Sequence, residues 1–327
     1  MTFKKRLKST ASTLGRMTLG VALGLGLAVA VISPVHAQVA TPPVAAESPA
    51  ALRAVPPAEG RGPALWVVKD ADSTLYLFGT VHLLRPTTGW GTERVDAAFD
   101  SADQLILEIA DPTDQAAMIP LIQQYGLSPA TPLTSLLTAD EVAALDAAAQ
   151  TIGLTAAQMD PFRPWFAALT IAIAPLAKAG YAMDSGVDPI LKARAEAAGK
   201  PINAFETPDE QIRILAGFSE AEQLDFLRST LEDFEAATVE LDRLVASWAA
   251  GDVEGIETIA VQPMRESSEA LYQALLVRRN TNWADQIQTL LEGSGTAFIA
   301  VGAAHLAGDD SVQEILEARG VDVDVAP

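Results

Sequence analysis

Two of the three histidines of the chain stand in the same local setting. His82 follows an apolar run and Gly79-Thr-Val, and His305 follows an apolar run and Gly302-Ala-Ala. In open α/β sheets, ligands bind beyond the carboxyl ends of the strands, which is where both imidazoles would lie. Imidazoles act there as metal ligands or as general bases. The matching settings therefore predict that His82 and His305 form one site.

Two acidic residues fit the same site. Glu108 interrupts the apolar run 104–109, and Glu206 ends the predicted strand 201–205. An ionised carboxylate inside an apolar strand is costly unless it is paired, hydrogen-bonded or bound to a metal. Two structural alternatives stay open. Glu108 could simply pair with a buried arginine, and Glu206 could simply cap the helix that follows it.

Arg279 completes the set of candidate residues. Its neighbours at helical spacing are Leu275, Leu276 and Trp283, so it lies on an apolar helix face and points inward. An inward arginine can bind a substrate carboxylate or stabilise a developing oxyanion. It can equally form a buried ion pair with Glu108, and both roles can hold together. Arg278 is predicted to be solvated.

These residue types allow two kinds of hydrolytic chemistry. Two imidazoles and a carboxylate, here His82, His305 and Glu108, can hold a divalent metal with open positions. Such a metal would polarise a carbonyl group and generate hydroxide from water near neutral pH. The sequence has no local His-Glu-x-x-His motif to choose this version. A metal-free version would use one histidine as general base, oriented by Glu108.

Alternating and helical patterns indicate the elements that position these residues. They predict strands at 65–69, 74–78, 104–109, 201–205, 296–301 and 321–325, the first two joined as a hairpin and the last at a sheet edge. They predict helices at 93–102, 164–179, 264–291 and 311–318, and helix starts at Thr138, Thr207 and Ser219. The expected fold is an α/β (α+β) domain, residues 63–327, with a central mixed sheet built from amino- and carboxyl-terminal strands and flanked by helices. A large helical insertion is expected at about 112–260.

The amino-terminal residues resemble an export signal. Five basic residues precede an apolar run of about 16 residues, which is short of the roughly 20 needed to span a bilayer. Val35-His36-Ala37 is a small-x-small pattern, so we predict a signal peptide at 1–37, cleaved after Ala37, and a periplasmic or secreted protein with no stable membrane span after cleavage. Retention as an anchor is the alternative. Residues 38–62, rich in Pro and Ala, are predicted to form a flexible tether.

Charge and cysteine content exclude several function classes. The chain has 22 basic and 42 acidic residues, and five of the basic residues lie in the predicted signal peptide. The remaining charge of about −25 would repel nucleic acid and anionic membranes, so we expect no nucleic-acid partner. Because the sequence contains no cysteine, thiol catalysis, thiolate metal sites and disulfides are impossible.

Six short segments together resemble the TraB/PrgY/GumN family, which includes the animal Tiki proteins. The resemblance covers most of the chain after residue 64. The segments are Gly79-Thr-Val-His82, Leu105-Ile-Leu-Glu108, Gly186-Val-Asp188, Gly199-Lys-Pro leading to Glu206-Thr207, Arg279-Asn280, and Gly302-Ala-Ala-His305-Leu. The resemblance implies a fold related to the erythromycin esterase and ChaN-like proteins, with a central sheet flanked by helices.

The resemblance also implies an activity, because Tiki members are described as metal-dependent proteases. Carried over, it gives His82, Glu108, Arg279 and His305 as catalytic residues, with Arg279, Asn280, Asp188 and Glu206 toward the substrate. The expectation is an exported hydrolase that uses Mn, Co or Zn on a peptide or small-molecule substrate. Two alternatives stay open: a non-catalytic protein that binds a peptide and regulates it, and a metal-free, esterase-like hydrolase with a histidine base. The oligomeric state is not predicted.

Overall fold

The computed structural model describes residues 54–111 and 114–327. The predicted signal peptide and residues 38–53 of the predicted tether lie outside these ranges. The last tether residues are bound to the domain, because Pro56 O accepts hydrogen bonds from the amides of Trp90 and Gly91, and Ala58 N donates to Gly91 O. Pro56 and Ala58, which the sequence assigned to the tether, are therefore in contact with the domain.

A mixed six-stranded sheet forms the centre of the domain, which confirms the predicted fold class. The strands are β1 (Leu65–Lys69), β2 (Ser73–Thr80), β3 (Gln104–Leu107), β4 (Ile202–Ala204), β5 (Gly295–Gly302) and β6 (Val323–Val325). They lie in the order β4-β3-β5-β2-β1-β6. β1 pairs antiparallel with β2, as the predicted hairpin, and with β6 at the edge. β2, β5, β3 and β4 are parallel to one another.

Helices fill the chain between the strands. They are α1 (Glu93–Ser101), α2 (Gln115–Tyr125), α3 (Ala139–Gln150), α4 (Pro164–Lys178), α5 (Val187–Ala198), α6 (Pro208–Ala216), α7 (Glu220–Asp233), α8 (Ala237–Ala250), α9 (Val253–Ile256), α10 (Gln262–Ser267), α11 (Glu269–Tyr272), α12 (Arg278–Leu291) and α13 (Val312–Ala318). The predicted starts are confirmed, since Thr138, Thr207 and Ser219 each complete a capping box.

The predicted long helix 264–291 is wrong. In chain order, a π-helical turn at Glu257–Val261 precedes α10 and α11, and a second π-helical turn at Gln273–Val277 then leads into α12. Ser268 breaks the first part: its backbone is extended, and its side chain accepts a hydrogen bond from Leu271 N at 3.2 Å. A serine that satisfies a nearby amide in this way competes with the helix, and helical periodicity does not reveal it.

Both faces of the sheet are covered, which explains why its central strands are almost continuously apolar. One face packs mainly against the helices of the insertion, in a large core that contains Phe78, Leu105 and Phe298. The other face packs against α12 and α13 in a smaller core that contains Leu77, Ile299 and Trp283. Among the described residues, no helix combines the length and the apolar character needed to span a bilayer.

Candidate active site

The four parallel strands bring the predicted residues to one edge of the sheet. His82 lies two residues beyond β2, Glu108 directly follows β3, Glu206 lies two residues beyond β4, and His305 lies three residues beyond β5. Because these strands run in the same direction, their carboxyl ends form a common crevice. The sequence placed Glu108 inside its strand. The structure ends β3 at Leu107, so Glu108 lies directly beyond the strand, where its backbone oxygen still accepts a hydrogen bond from Glu206 N.

The two Gly-x-x-His segments touch each other. A Cβ atom on Gly79 would lie 3.1 Å from Ala303 Cα, closer than a side chain can approach without moving the neighbouring backbone. Gly302 N donates a hydrogen bond of 2.7 Å to Glu108 Oε1. The glycines therefore allow the loops after β2 and β5 to approach closely and one of them to hold the carboxylate.

A carboxylate holds the His82 ring, and it belongs to Asp188. Asp188 Oδ2 lies 2.8 Å from His82 Nδ1, and Asp188 Oδ1 accepts a hydrogen bond of 3.1 Å from Thr80 Oγ1. Asp188 lies in the first turn of α5, and that helix start is tied to the strand by a bond from Val187 N to Val81 O. For His82, Asp188 takes the orienting position that was predicted for Glu108, whereas Glu108 Oε1 lies 3.8 Å from His305 Nε2.

The loop before α5 fits against His82 only because it contains a glycine. A Cβ atom on Gly186 would lie 2.2 Å from the carbonyl oxygen of His82. A larger residue there would push α5 away from the strand, and Asp188 with it. The Gly-Val-Asp segment therefore acts as one unit that places a carboxylate on the histidine.

His82 Nε2 is the nitrogen of the ring that Asp188 does not hold. The atom is buried and has no hydrogen-bond partner among the described residues. Burial alone lowers the pKa of His82, but the charge and hydrogen bond of Asp188, helped by the charge of Glu108, outweigh burial and the opposing charge of Arg279. The pKa of His82 is raised from its ordinary 6.5 to about 9. His82 and Asp188 form one half of the site, and Glu108, Arg279 and His305 belong to the other half.

Arg279 is buried at the centre of the other half, as the helix spacing predicted. All five of its N–H donors face protein acceptors. Nε and Nη2 donate to Glu206 at 2.8 Å each, Nη2 also donates to Glu108 Oε2 at 2.6 Å, and Nη1 faces Leu275 O at 3.2 Å and His305 Nε2 at 3.0 Å. No N–H of Arg279 is left for a ligand in this arrangement, which does not support its predicted role as a substrate clamp.

Glu206 is part of the same network and does not cap the next helix. Thr207 provides that cap, by accepting from Glu210 N. Besides Arg279, Glu206 Oε1 accepts from Trp283 Nε1 at 3.1 Å. The Trp283 ring also lies under the guanidinium, 4.7 Å from Cζ to the ring centroid. The alternative reading of Glu108 as the partner of a buried arginine is thus what the structure shows, with Glu206 as a second partner.

Hydrogen bonds hold both ring nitrogens of His305. Arginine only donates, so His305 Nε2 must accept from Arg279, and Nδ1 then carries the proton that it shares with Asn280 Oδ1 at 2.5 Å. Asn280 Nδ2 donates to Asp310 O at 2.7 Å. Asn280, predicted near the substrate, therefore fixes the tautomer of His305.

Gln211 is a site residue that the sequence analysis missed. It is fully buried on α6, and its Nε2 donates to Glu108 Oε2 and to Glu206 Oε2, both at 3.0 Å. Its Oε1 is buried and has no partner among the described residues. The signal was present: Gln211 shares the inward face of its helix with Leu215, where an amide is unusual.

The donor atoms do not fit the predicted three-ligand metal site. Among the residues that the structure describes, no three His, Asp or Glu side chains are placed to hold a metal ion. Arg279 faces both Glu108 and His305, and Glu108 also accepts hydrogen bonds from Gln211 Nε2 and the Gly302 amide. Within the part of the chain that the structure describes, His82 Nε2 is the predicted ligand atom for which no hydrogen-bond partner is found.

Comparisons with known proteins agree with the resemblance seen in the sequence. A model of the TraB/PrgY/gumN family matches residues 64–325. The "Uncharacterized protein YbaP" of Escherichia coli (strain K12) is 21% identical over 254 residues, which cover 78% of this chain and 92% of that protein, and its Shigella flexneri counterpart matches equally. The "Metalloprotease TIKI2" of Danio rerio is 28% identical over 167 residues, 43% of this chain and 32% of that protein. No solved structure matches.

Proposed function

The chain belongs to the TraB/PrgY/gumN family, and from this premise we propose that it is an exported hydrolase of peptide or other amide bonds. One observation carries the proposal. His82 presents an unpaired ring nitrogen at the carboxyl edge of the sheet while a buried carboxylate holds its other nitrogen. A base oriented by a third group in this way is the common core of many hydrolytic sites.

His82 would move a proton at Nε2. It takes a proton from a water molecule as the water oxygen attacks the carbonyl carbon, and it later gives that proton to the departing nitrogen. Asp188 keeps the remaining proton on Nδ1 and stabilises the imidazolium that forms between the two steps. The raised pKa of His82 follows from this stabilisation, and it means that the basic form is most abundant above about pH 9.

Gln211 would contribute to substrate binding. Its Nε2 must face the two carboxylates, because an amide oxygen cannot donate, so its Oε1 is the atom left for a partner. An amide N–H of a peptide substrate is a suitable donor. The substrate class stays peptides or small amides, as expected from the family resemblance.

A metal-dependent version of the hydrolase is supported by the name of the Danio rerio relative, which is a metalloprotease. When bound, a divalent metal would polarise the carbonyl group. The engaged lone pairs of Glu108 and His305 do not favour it in this chain, so His82 with Asp188 is the version that we propose.

The proposal is tested by incubating the purified protein with a mixed peptide library and following new termini by mass spectrometry. We expect cleavage by the parent protein and by Asp184→Asn, an exposed acidic control, and no cleavage by His82→Asn. Cleavage that survives a strong chelator favours the histidine-base version, and cleavage abolished by it favours the metal version. A peptide that is retained but never cleaved would show that the protein is a binding or regulatory protein.

A further inference from the structure

We infer that Arg279 is the resident cation of this site and that it excludes a divalent metal from Glu108 and His305. The inference concerns the Arg279 half of the site and does not depend on whether His82 is a base. It rests on where the lone pairs of the predicted ligands point.

The atoms that Glu108 and His305 would offer to a metal already take part in hydrogen bonds. Arg279 Nη2 lies 2.6 Å from Glu108 Oε2, and Arg279 Nη1 lies 3.0 Å from His305 Nε2. The other oxygen of Glu108 accepts from Gly302 N, and the other nitrogen of His305 is bound to Asn280. A zinc-type metal binds at about 2.0–2.2 Å from such atoms, in the directions that Arg279 now occupies.

Arg279 cannot give way by losing its charge. A guanidinium stays protonated in proteins, so a metal bound to Glu108 or His305 would lie within a few ångströms of a second cation. The carboxylates are thus neutralised by the arginine, as they would be by a metal.

Arg279 also cannot swing out at low cost. The bonds to Glu206, the contact with the Trp283 ring and the bond to Leu275 O in the preceding π turn hold its side chain in place. Moving it would leave two buried carboxylates without a cation, which is strongly unfavourable. The arginine is therefore part of the fold of the site, and a metal could enter only by displacing it.

Metal titration of the parent protein is the first test. Chelator-treated parent, Glu108→Gln and His305→Ala are titrated with Co²⁺, Mn²⁺ and Zn²⁺ by calorimetry, and the Co²⁺ samples are also followed by visible absorption. We expect the three proteins to give the same weak response, from their acidic surfaces. Saturable binding near one site per chain in the parent, lost in both variants, would overturn the inference.

Removal of the arginine is the second test. The Arg279→Ala variant leaves the negative charges of Glu108 and Glu206 uncompensated and frees the nitrogen of His305 that faced the arginine. We therefore expect a lower Tm, which rises by about 5 °C with saturating metal. The rise should vanish in Arg279→Ala/His305→Ala. A folded Arg279→Ala protein that binds no metal would overturn the claim that Arg279 is what excludes it. If this variant does not fold with or without metal, the titration of the parent decides. Neither readout depends on activity, so loss of the proposed hydrolysis would not be confused with failure here.

Discussion

His82 and His305 follow nearly identical sequence segments, and their surroundings in the fold are opposite. His82 has one nitrogen bound to a carboxylate and one with no partner among residues 54–111 and 114–327, whereas hydrogen bonds hold both nitrogens of His305. The decisive partners come from elsewhere in the chain: Asp188 from α5 for His82, and Arg279 with Asn280 from α12 for His305. Similar local sequence therefore positions two imidazoles alike without giving them the same role.

The two partners differ in charge, and this separates the two halves further. Asp188 is a carboxylate and favours the protonated form of His82, whereas Asn280 is neutral and fixes only the tautomer of His305. The Arg279 half contains a cation with all its donors used. We therefore assign proton transfer to the His82 half, and to the Arg279 half the tasks of holding the strand ends together and setting the local charge.

The largest effect on activity is expected from substitution of His82, the residue that distinguishes the two halves of the site. His82→Asn keeps a donor near the position of Nδ1 for Asp188 but removes Nε2, so kcat/KM for a cleaved peptide should fall about 10²–10⁴-fold. The Tm should change little above about pH 9, where the His82–Asp188 pair has lost its stabilising effect on the parent. His305→Asn is the matched variant, and we expect it to lose mainly stability. An equal loss of rate in a fully folded His305→Asn protein would contradict the division of roles.

The next effect is on stability and falls on the Arg279 half. Glu206→Gln removes one of two buried partners of Arg279 and leaves charge uncompensated, so the free energy of unfolding should fall by about 3 kcal/mol. Denaturant unfolding measures it, with the exposed Glu254→Gln as control, expected within about 0.5 kcal/mol of the parent. A Glu206→Gln protein as stable as the control would show that the network contributes little.

Much of this arrangement was predictable from the sequence. The apolar runs indicate the strands of the sheet, and the His and Glu residues at their ends indicate where the site lies. His82 and His305 were identified because each follows an apolar run, Glu108 because it interrupts one, and Glu206 because it ends a predicted strand. Which carboxylate meets which histidine was not predictable. That pairing depends on how α5 and α12 dock, and on the break at Ser268 with the π turn before Arg278, which set the approach of Arg279. Gln211 was missed because one polar residue on an apolar helix face resembles an ordinary boundary position.

A third prediction sharpens the contrast between a carboxylate and an amide partner. Asp188→Asn gives His82 the kind of partner that His305 has, and removes the main influence that raises the pKa of His82. In the parent, kcat/KM should rise with pH, reach half of its maximum near pH 9 and level off above that pH. In the variant the remaining effect of burial lowers the pKa, so the rise should move to lower pH. The plateau should be about 10- to 100-fold lower, because the imidazolium loses its counterion.

Stability gives a second reading of the same variant. Because the pKa of His82 is raised in the folded state, the His82–Asp188 pair stabilises the parent fully below about pH 6.5 and loses this contribution as pH rises toward 9. The parent should therefore lose stability across that window, and Asp188→Asn should lose less. Asp184→Asn is the control for both readings. If kcat/KM rises over the same pH range in Asp188→Asn as in the parent, the group that titrates is not His82.

The smallest effect tests how far the support of His82 extends. Thr80 Oγ1 donates to Asp188 Oδ1 at 3.1 Å, and Thr80→Val keeps the shape of the side chain while removing that donor. Since one neutral-to-charged hydrogen bond contributes about 1 kcal/mol or somewhat more, kcat/KM should fall about fivefold or slightly further. Thr289→Val, at an exposed position, should have no effect on rate. If Thr80→Val lowers Tm but leaves the rate of the folded protein unchanged, Asp188 holds its place without Thr80. The hydrogen bonds that position the base would then end at the Asp188 carboxylate, whereas those that position His305 continue through Asn280 to Asp310 O.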